Sequence, residues 1–459
     1  MTSLNQKLAN VSKTSTSQGV EATGISQVRD IFLDSRYRAE NADNGMYSAM
    51  TSGLSDLEDV LDETSADGLQ AQLSDFADQL ESLSESPSDQ DLALTVRTSA
   101  QSLTSILNSY SQQVTEVREQ AIYDLDAGVV SDFNSIVESI SNLNTQIKEE
   151  EINGSTPNEL YDKRNALIDQ LSNIAKIKVT TSTEKISDSL SVSTLNISLY
   201  DETSGTSIAL VKDGQFSTIS LNTDDEDVKI ELTSSIDNHD TDITDHFTSG
   251  SIKGYLDVIN GEGSYAGTDG NDSRGTLYYL KALDTFANTF ATTFNDLNHV
   301  GTSTTNLFAA SSGTTINALN ISISEDWLDN PLAINTAAAD AESGDNTNVF
   351  KMIEALEADT TFTDSTTGLK FTGTFADYMT GVVAELSSDI NLNTDYQDSS
   401  DSVLASLAES RDSVSGVSLD EEGVNLIAYQ KSYDAAARYM TVLDEIMDKL
   451  INGTGVVGR

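Results

Sequence analysis

Apolar positions in this chain fall into two long seams. The first is Val96, Ala100, Leu103, Leu107, Tyr110, Val114, Val117 and Ala121, spaced alternately four and three residues apart. Such a repeat keeps one stripe facing a neighbour and predicts a long helix packed on other helices. Leu125, Val129 and Phe133 then follow at steps of four before Ile136, Ile140, Leu143 and Ile147 resume the alternation. A run of fours is a stutter, which locally unwinds a supercoil, and Gly128 lies inside it. A bend or break near Ala127-Gly128 is therefore expected.

The second seam lies near the C-terminus: Leu426, Tyr429, Tyr433, Ala436, Met440, Leu443, Met447 and Leu450, with Ala435, Tyr439, Val442 and Ile446 as a row beside it. About thirty residues of helix span about 45 Å. Asp420, Glu421 and Glu422 suit the positive end of the helix dipole, Lys449 suits the last turn, and Asn452-Gly453 is a stop. Pattern alone serves a core helix of an ordinary domain and an assembly helix equally well.

Between the seams the period changes. Helical pattern from Ile31 and Phe32 runs to about Leu83 and breaks at Ser84–Gln90, where Pro87 ends one helix and Ser88 or Asp89 caps the next. Thr156, Pro157 and Glu159 predict a capping box after the Asn153-Gly154 turn. The short turn predicts an antiparallel pair of Ser131–Lys148 with Thr156–Ser172, Phe133, Ile140 and Ile147 facing Leu160, Leu167 and Leu171. From Lys176 the chain alternates and is β-branched, with a turn at Asp213-Gly214, and strand-like sequence runs to about Asn260. Helical pattern returns over Thr276–Gly301, a short β stretch follows, and helices resume from Asn348.

The expected fold is mainly α with an inserted β domain (α+β). A long helical bundle or coiled-coil body is made from distant segments, with a β-rich outer domain. The expected boundaries are an extended segment over 1–26, body over 27–175, β domain over 176–261, body over 262–301, a short β insertion over 302–347, body over 348–418, and a C-terminal assembly helix over 419–459.

Charge narrows the function classes. The 459 residues carry a formal net charge of -49 from 74 acidic and 25 basic residues, which argues against nucleic acid or an anionic membrane as partner. There is no cysteine, so disulfide and thiol chemistry are closed. No apolar run is long enough to span a bilayer, and the first residues lack the apolar core of a secretory signal.

Candidate chemistry is sparse. His239 and His246 lie among acids at no zinc spacing. A calcium-loop alignment from Asp269 puts Arg274 where glycine is needed and Leu280 where glutamate is needed. Gly261–Ala266 fits a dinucleotide-loop spelling, but the glycines that follow predict a loop where that site needs a helix start. Neither cofactor, metal nor catalytic set is expected.

Resemblance adds what spacing does not. Ser413–Ile451 resembles the C-terminus of flagellar axial proteins, including rod and hook proteins. Gly19–Ala42, Leu143–Ser172 and Leu280–Gly301 resemble the flagellar hook-associated protein 1 family, the hook–filament junction proteins. That resemblance implies a non-enzymatic, ring-forming adaptor joining hook to filament, exported through the flagellar type III apparatus and located outside the cell. It implies as partners the hook protein, the second hook–filament junction protein, further copies of itself, and an export chaperone on the C-terminal helix. The assembly residues carried over are Leu426, Tyr429, Gln430, Tyr433, Ala436, Met440, Leu443, Met447 and Leu450. The apolar first helix and Asn-rich segment of the family pattern have no counterpart in this sequence, so the usual partner of the C-terminal helix is expected to be missing. Two alternatives stay open: another hook- or rod-type axial protein, and a secreted glycan-binding adhesin on a flagellar scaffold.

Overall fold

In a computed structural model, described residues are 29–61, 68–186, 191–200, 205, 207–236, 240–267, 270–339, 344–364, 367–416 and 419–453. The extended segment expected over 1–26, together with His239 and Asp269, lies outside them.

Helix α1 (Ile31–Val60) starts at Asp30, whose side chain accepts from the backbone of Phe32 and Leu33. Helix α2 (Leu69–Glu85) stops just before Pro87, and Asp89 caps α3 (Gln90–Tyr123) by accepting from Asp91 and Leu92 backbone N–H groups. Of the bend or break expected near Ala127-Gly128, the break does not occur. A π-helical turn, Asp124–Val130, joins α3 to α4 (Ser131–Ile152) without leaving helical backbone angles at either junction. Its wider turn takes up the extra residue that the run of fours introduces, so Leu125 and Phe133 both stay buried.

Helix α5 (Asn158–Ile174) returns antiparallel to α4: Arg164 donates to Asn144 at 2.8 Å and Tyr161 donates to Glu151. The capping box expected at Thr156 does not form. The helix begins one residue later, behind Pro157, with no side-chain cap. Phe133, Ile140, Ile147 and Leu171 are buried, and Leu160 and Leu167 are half-buried.

Six antiparallel strands follow in sequence order: β1 (Ile177–Lys185), β2 (Ser191–Tyr200), β3 (Ser207–Lys212), β4 (Gln215–Asn222), β5 (Lys229–Ser234) and β6 (Asp240–Asp242). The β3–β4 hairpin turns on Asp213-Gly214, with Asp213 at φ 55°, as a two-residue turn requires. Strand structure stops at Asp242, not near Asn260. The apolar run at 251–260 is helix α6 (Ser251–Asn260), buried on several sides, and a short buried run has no period that separates strand from helix. Gly254 of α6 sits where a Cβ would lie 2.5 Å from the Met46 carbonyl oxygen, so α6 crosses α1 at backbone distance. Gly261–Ala266 holds a 3-10 turn at Gly263–Tyr265 and no helix start.

Helix α7 (Thr276–Asn298) carries Phe286, Phe290 and Phe294, all fully buried. The hairpin β7 (Phe308–Ala310) and β8 (Ile321–Ile323), the short helix α8 (Glu325–Asp329), α9 (Thr347–Glu357) and a second hairpin, β9 (Thr360–Thr363) with β10 (Lys370–Gly373), follow. These β pieces are not excursions from the body. Phe308, Ile321, Trp327 and Phe362 belong to its core beside Phe76, Phe290 and Phe375. The β9–β10 hairpin falls inside a stretch expected to be helical. Helix α10 (Phe375–Ser415) opens with the Thr374/Asp377 capping box and packs along α1, and α11 (Leu419–Gly453) ends the described chain.

Two cores result. One lies among α2, α3, α7, α9, α10 and the two hairpins; the other lies between the sheet and α4, α5 and α6. The body is thus built from segments far apart in sequence, with the six-stranded sheet packed on α4.

Candidate assembly interface

Helix α11 is amphipathic in sequence and uncovered in structure. Leu426 is 70% exposed, Tyr433 73%, Met440 60%, Met447 55% and Leu450 58%. Gln430 is exposed, whereas Tyr429, Ala436 and Leu443 are partly shielded and recur every seven residues along one line. The second row is open too, with Tyr439, Val442 and Ile446 exposed. Val424, Ile427 and Ile451, which the seam pattern omits, widen the apolar surface.

The root of this helix is built from charge. Arg411, one turn before the end of α10, meets Asp34 in the first turn of α1 at 2.9 Å and Asp169 of α5 at 2.7 Å. Asp169 also accepts from Arg38 at 2.8 Å, and the Arg411 guanidinium lies 4.4 Å from the centre of the Tyr37 ring. Burial works against the Arg411 charge, but the hydrogen bond to Asp169 and the two carboxylate charges outweigh it, so its pKa lies above the ordinary arginine value. A planar fork bridging two carboxylates fixes three helices at once. Asn41 extends the clamp by donating to the Asp169 carbonyl at 2.9 Å, and Gly45 allows α1 within 2.2 Å, measured from an added Cβ, of the Asn173 carbonyl oxygen. The chain therefore enters α1 and leaves α10 at the same end of the body. Sequence pattern did not single out these residues. Their available signal was scarcity: an arginine in so acidic a chain is placed for a reason.

A second fork lies elsewhere, where Arg274 donates to both carboxylate oxygens of Asp389 at 2.7 Å. A cleft of about 570 Å³ lies between the end of β5, α6 and the loop at 270–273, lined by both signs of charge, including Asp227, Lys229, Asp242 and Lys253. Among the described residues, no group of three or more histidine or acidic side chains is placed to hold a metal ion. None of the described helices is long and apolar enough to cross a membrane.

Comparison with known proteins bears on the same regions. Residues 54–310 match the family described as "Flagellar hook-associated protein FlgK helical domain". Residues 409–453, which contain Arg411 and all of α11, match "Flagellar basal body rod FlgEFG protein C-terminal". The chain is 31% identical over 453 residues to "Flagellar hook-associated protein 1" of Bacillus subtilis (strain 168), covering 96% of this chain and 87% of that protein. Among solved structures it is similar to the flagellar hook junction protein FlgK from Burkholderia pseudomallei, at 19% identity and a TM-score of 0.49, covering 74% of this chain and 57% of that one. On the sequence match over nearly its whole length, the chain belongs to the flagellar hook-associated protein 1 family and is a structural component of the flagellum.

Proposed function

We propose that this chain is a non-catalytic adaptor that joins hook to filament as one subunit of a ring. Its α11 residues Leu426, Tyr429, Gln430, Tyr433, Ala436, Met440, Leu443, Met447 and Leu450 are the contact surface. One observation carries the reading: two seams of the same period exist, and only the α11 seam is left open to solvent, at the end where the chain also enters α1. Each apolar side chain there contributes about 1.5–3 kcal/mol when a partner helix covers it. Before export the same surface is held by a chaperone; after export through the flagellar apparatus it packs against neighbouring subunits, the hook protein and the second junction protein.

The test is Leu443→Asp. Expected are an unchanged melting temperature of the body, lost binding to the export chaperone, and no joining to isolated hook ends. A Leu443→Asp protein that joins hooks as the parent does would remove α11 from the interface.

A further inference from the structure

The chain has 15 tyrosines and no cysteine, so a disulfide cannot join two of its helices, whereas coupled phenols can. Among the described residues, tyrosine rings meet in the aromatic core and on the arm made by α1 and α10. In the core, Tyr265 and Tyr278 have ring centres 5.3 Å apart, and Tyr278 and Tyr279 5.0 Å apart, but all three side chains are buried. On the arm, Tyr47 of α1 and Tyr396 of α10 have ring centres 5.2 Å apart with planes tilted by 36°. Tyr396 is 47% exposed and Tyr47 is half-buried, so this pair meets solvent.

The two helices come from opposite ends of the chain and are pinned on both sides of the rings. Asn44 donates to Asp401 at 2.8 Å on one side, and Ser387 donates to Glu58 at 2.8 Å on the other. Between Leu386 and Leu407 the buried residues of α10 are Asn393 and Ser400. Polar contacts, not an apolar seam, therefore hold this stretch of the arm, and the two rings are kept face to face within it.

We infer that Tyr47 and Tyr396 form an oxidative coupling site, a modification that staples α1 to α10 when a one-electron oxidant of the peroxidase class reaches this surface. The co-reactant is hydrogen peroxide. Each phenol gives up one electron and one proton, the O–O bond of the peroxide breaks, and two waters form. The two phenoxyl radicals then join through the ring carbons next to their oxygens. The protons on those carbons move to the phenolic oxygens, which restores both aromatic rings.

Geometry and charge select this pair. Directly bonded rings have centres only slightly closer than these, so coupling needs a small side-chain movement and no displacement of either helix. Groups held at contact react as if at very high concentration. Coupling between two chains must compete with that, and two bodies of charge -49 repel each other. Burial first, and then the Asp43 carboxylate, raise the pKa of Tyr47, so its phenol loses proton and electron together and not by way of a free phenolate.

The test treats the full chain, in dilute solution, with hydrogen peroxide and a haem peroxidase, and maps linked peptides by mass spectrometry. Expected is a peptide joining Tyr47 to Tyr396, lighter by two hydrogens than its parts, in a chain that still runs as a monomer on a denaturing gel. In unfolding urea its yield should fall at least about tenfold, because the rings are then no longer held together. Tyr123→Phe, which removes a phenol 64% exposed on α3, should leave the yield unchanged. In a Tyr396→Phe variant Tyr47 should stay unlinked. Coupling of Tyr47 to another tyrosine in that variant, an equal yield in urea, or dityrosine found only between chains or within α11, would overturn the inference.

Discussion

Helices α3 and α11 read almost alike as sequence and end in opposite surroundings. Both carry a three-four repeat over about four heptads, and both avoid proline. In α3, Val96, Ala100, Leu103, Leu107 and Val114 are fully buried under α2, α7 and the β7–β8 hairpin; in α11, Leu426, Tyr433 and Met440 are more than half exposed. The difference teaches that a seam specifies a helix with a sticky stripe and says nothing about which chain covers it. In α3 the cover comes from the same chain. In α11 the described residues supply none, and a charge clamp at Arg411 holds its root instead. On the function proposed above, assembly would complete a core begun in one chain and finished by others.

The largest effect that would break this contrast is in amide exchange. Helices without tertiary cover are marginal in water, and local openings cost from near zero up to the global stability. Amides of Leu426–Ile451 in the free chain should exchange at least about a thousandfold faster than those of Val96–Val114. Equal protection would mean that α11 is an ordinary core helix.

Matched leucines give the next largest effect. Leu103→Ala removes a fully buried side chain and should cost about 2–5 kcal/mol in denaturant unfolding of the body. Leu426→Ala, at a position 70% exposed, should change it by less than about 0.5 kcal/mol. A comparable loss at both positions would place α11 inside the cooperative unit.

Arg411→Ala sharpens the contrast at the root. The clamp is charge-assisted and only slightly exposed, so its loss should cost about 2 kcal/mol and leave Asp34 with Arg29, 3.4 Å away, and Asp169 with Arg38 as their remaining counter-charges. Arg411→Lys should recover less than half, because an ammonium does not bridge two carboxylates in a plane. Full rescue by lysine would mean that charge alone, without the fork, sets the root.

The fold was legible where a period ran long. The α3–α4 seam, the α4–α5 hairpin and the strands with their Asp213-Gly214 turn all follow from spacing and turn chemistry. The α6 segment was not, because Ile252, Leu256, Val258 and Ile259 are buried on more than one face, and a run buried all round loses its period. The β7–β8 stretch was expected as β but as an insertion and not as part of the body's core, and the β9–β10 hairpin was missed, both for another reason. Their strands are three or four residues long and depend on Phe308 and Phe362 reaching the aromatic core of α7, a long-range event with no local signature. The α11 surface was legible as a stripe, while its clamp was not, since Asp34, Asp169 and Arg411 are distant in sequence and bear no motif.

The smallest predicted effect concerns the one irregularity in the covered seam. The run of fours at Leu125, Val129 and Phe133 is met by the π-helical turn Asp124–Val130, and Gly128 sits in it with no atom within 4 Å of where a Cβ would be. If glycine were there to let the helix break, a side chain would oppose the turn. The backbone keeps ordinary helical angles on both sides of the turn, so no left-handed conformation requires glycine. The spacing of the apolar residues, not the glycine, then dictates the wide turn, and glycine only adds disorder to the unfolded chain. Gly128→Ala should therefore stabilise the body by about 0.5–1 kcal/mol, with the π turn retained in a structure of the variant. A destabilised variant, or one in which the turn reverts to regular α-helix and turns Leu125 outward, would show that Gly128 and not the stutter makes the turn.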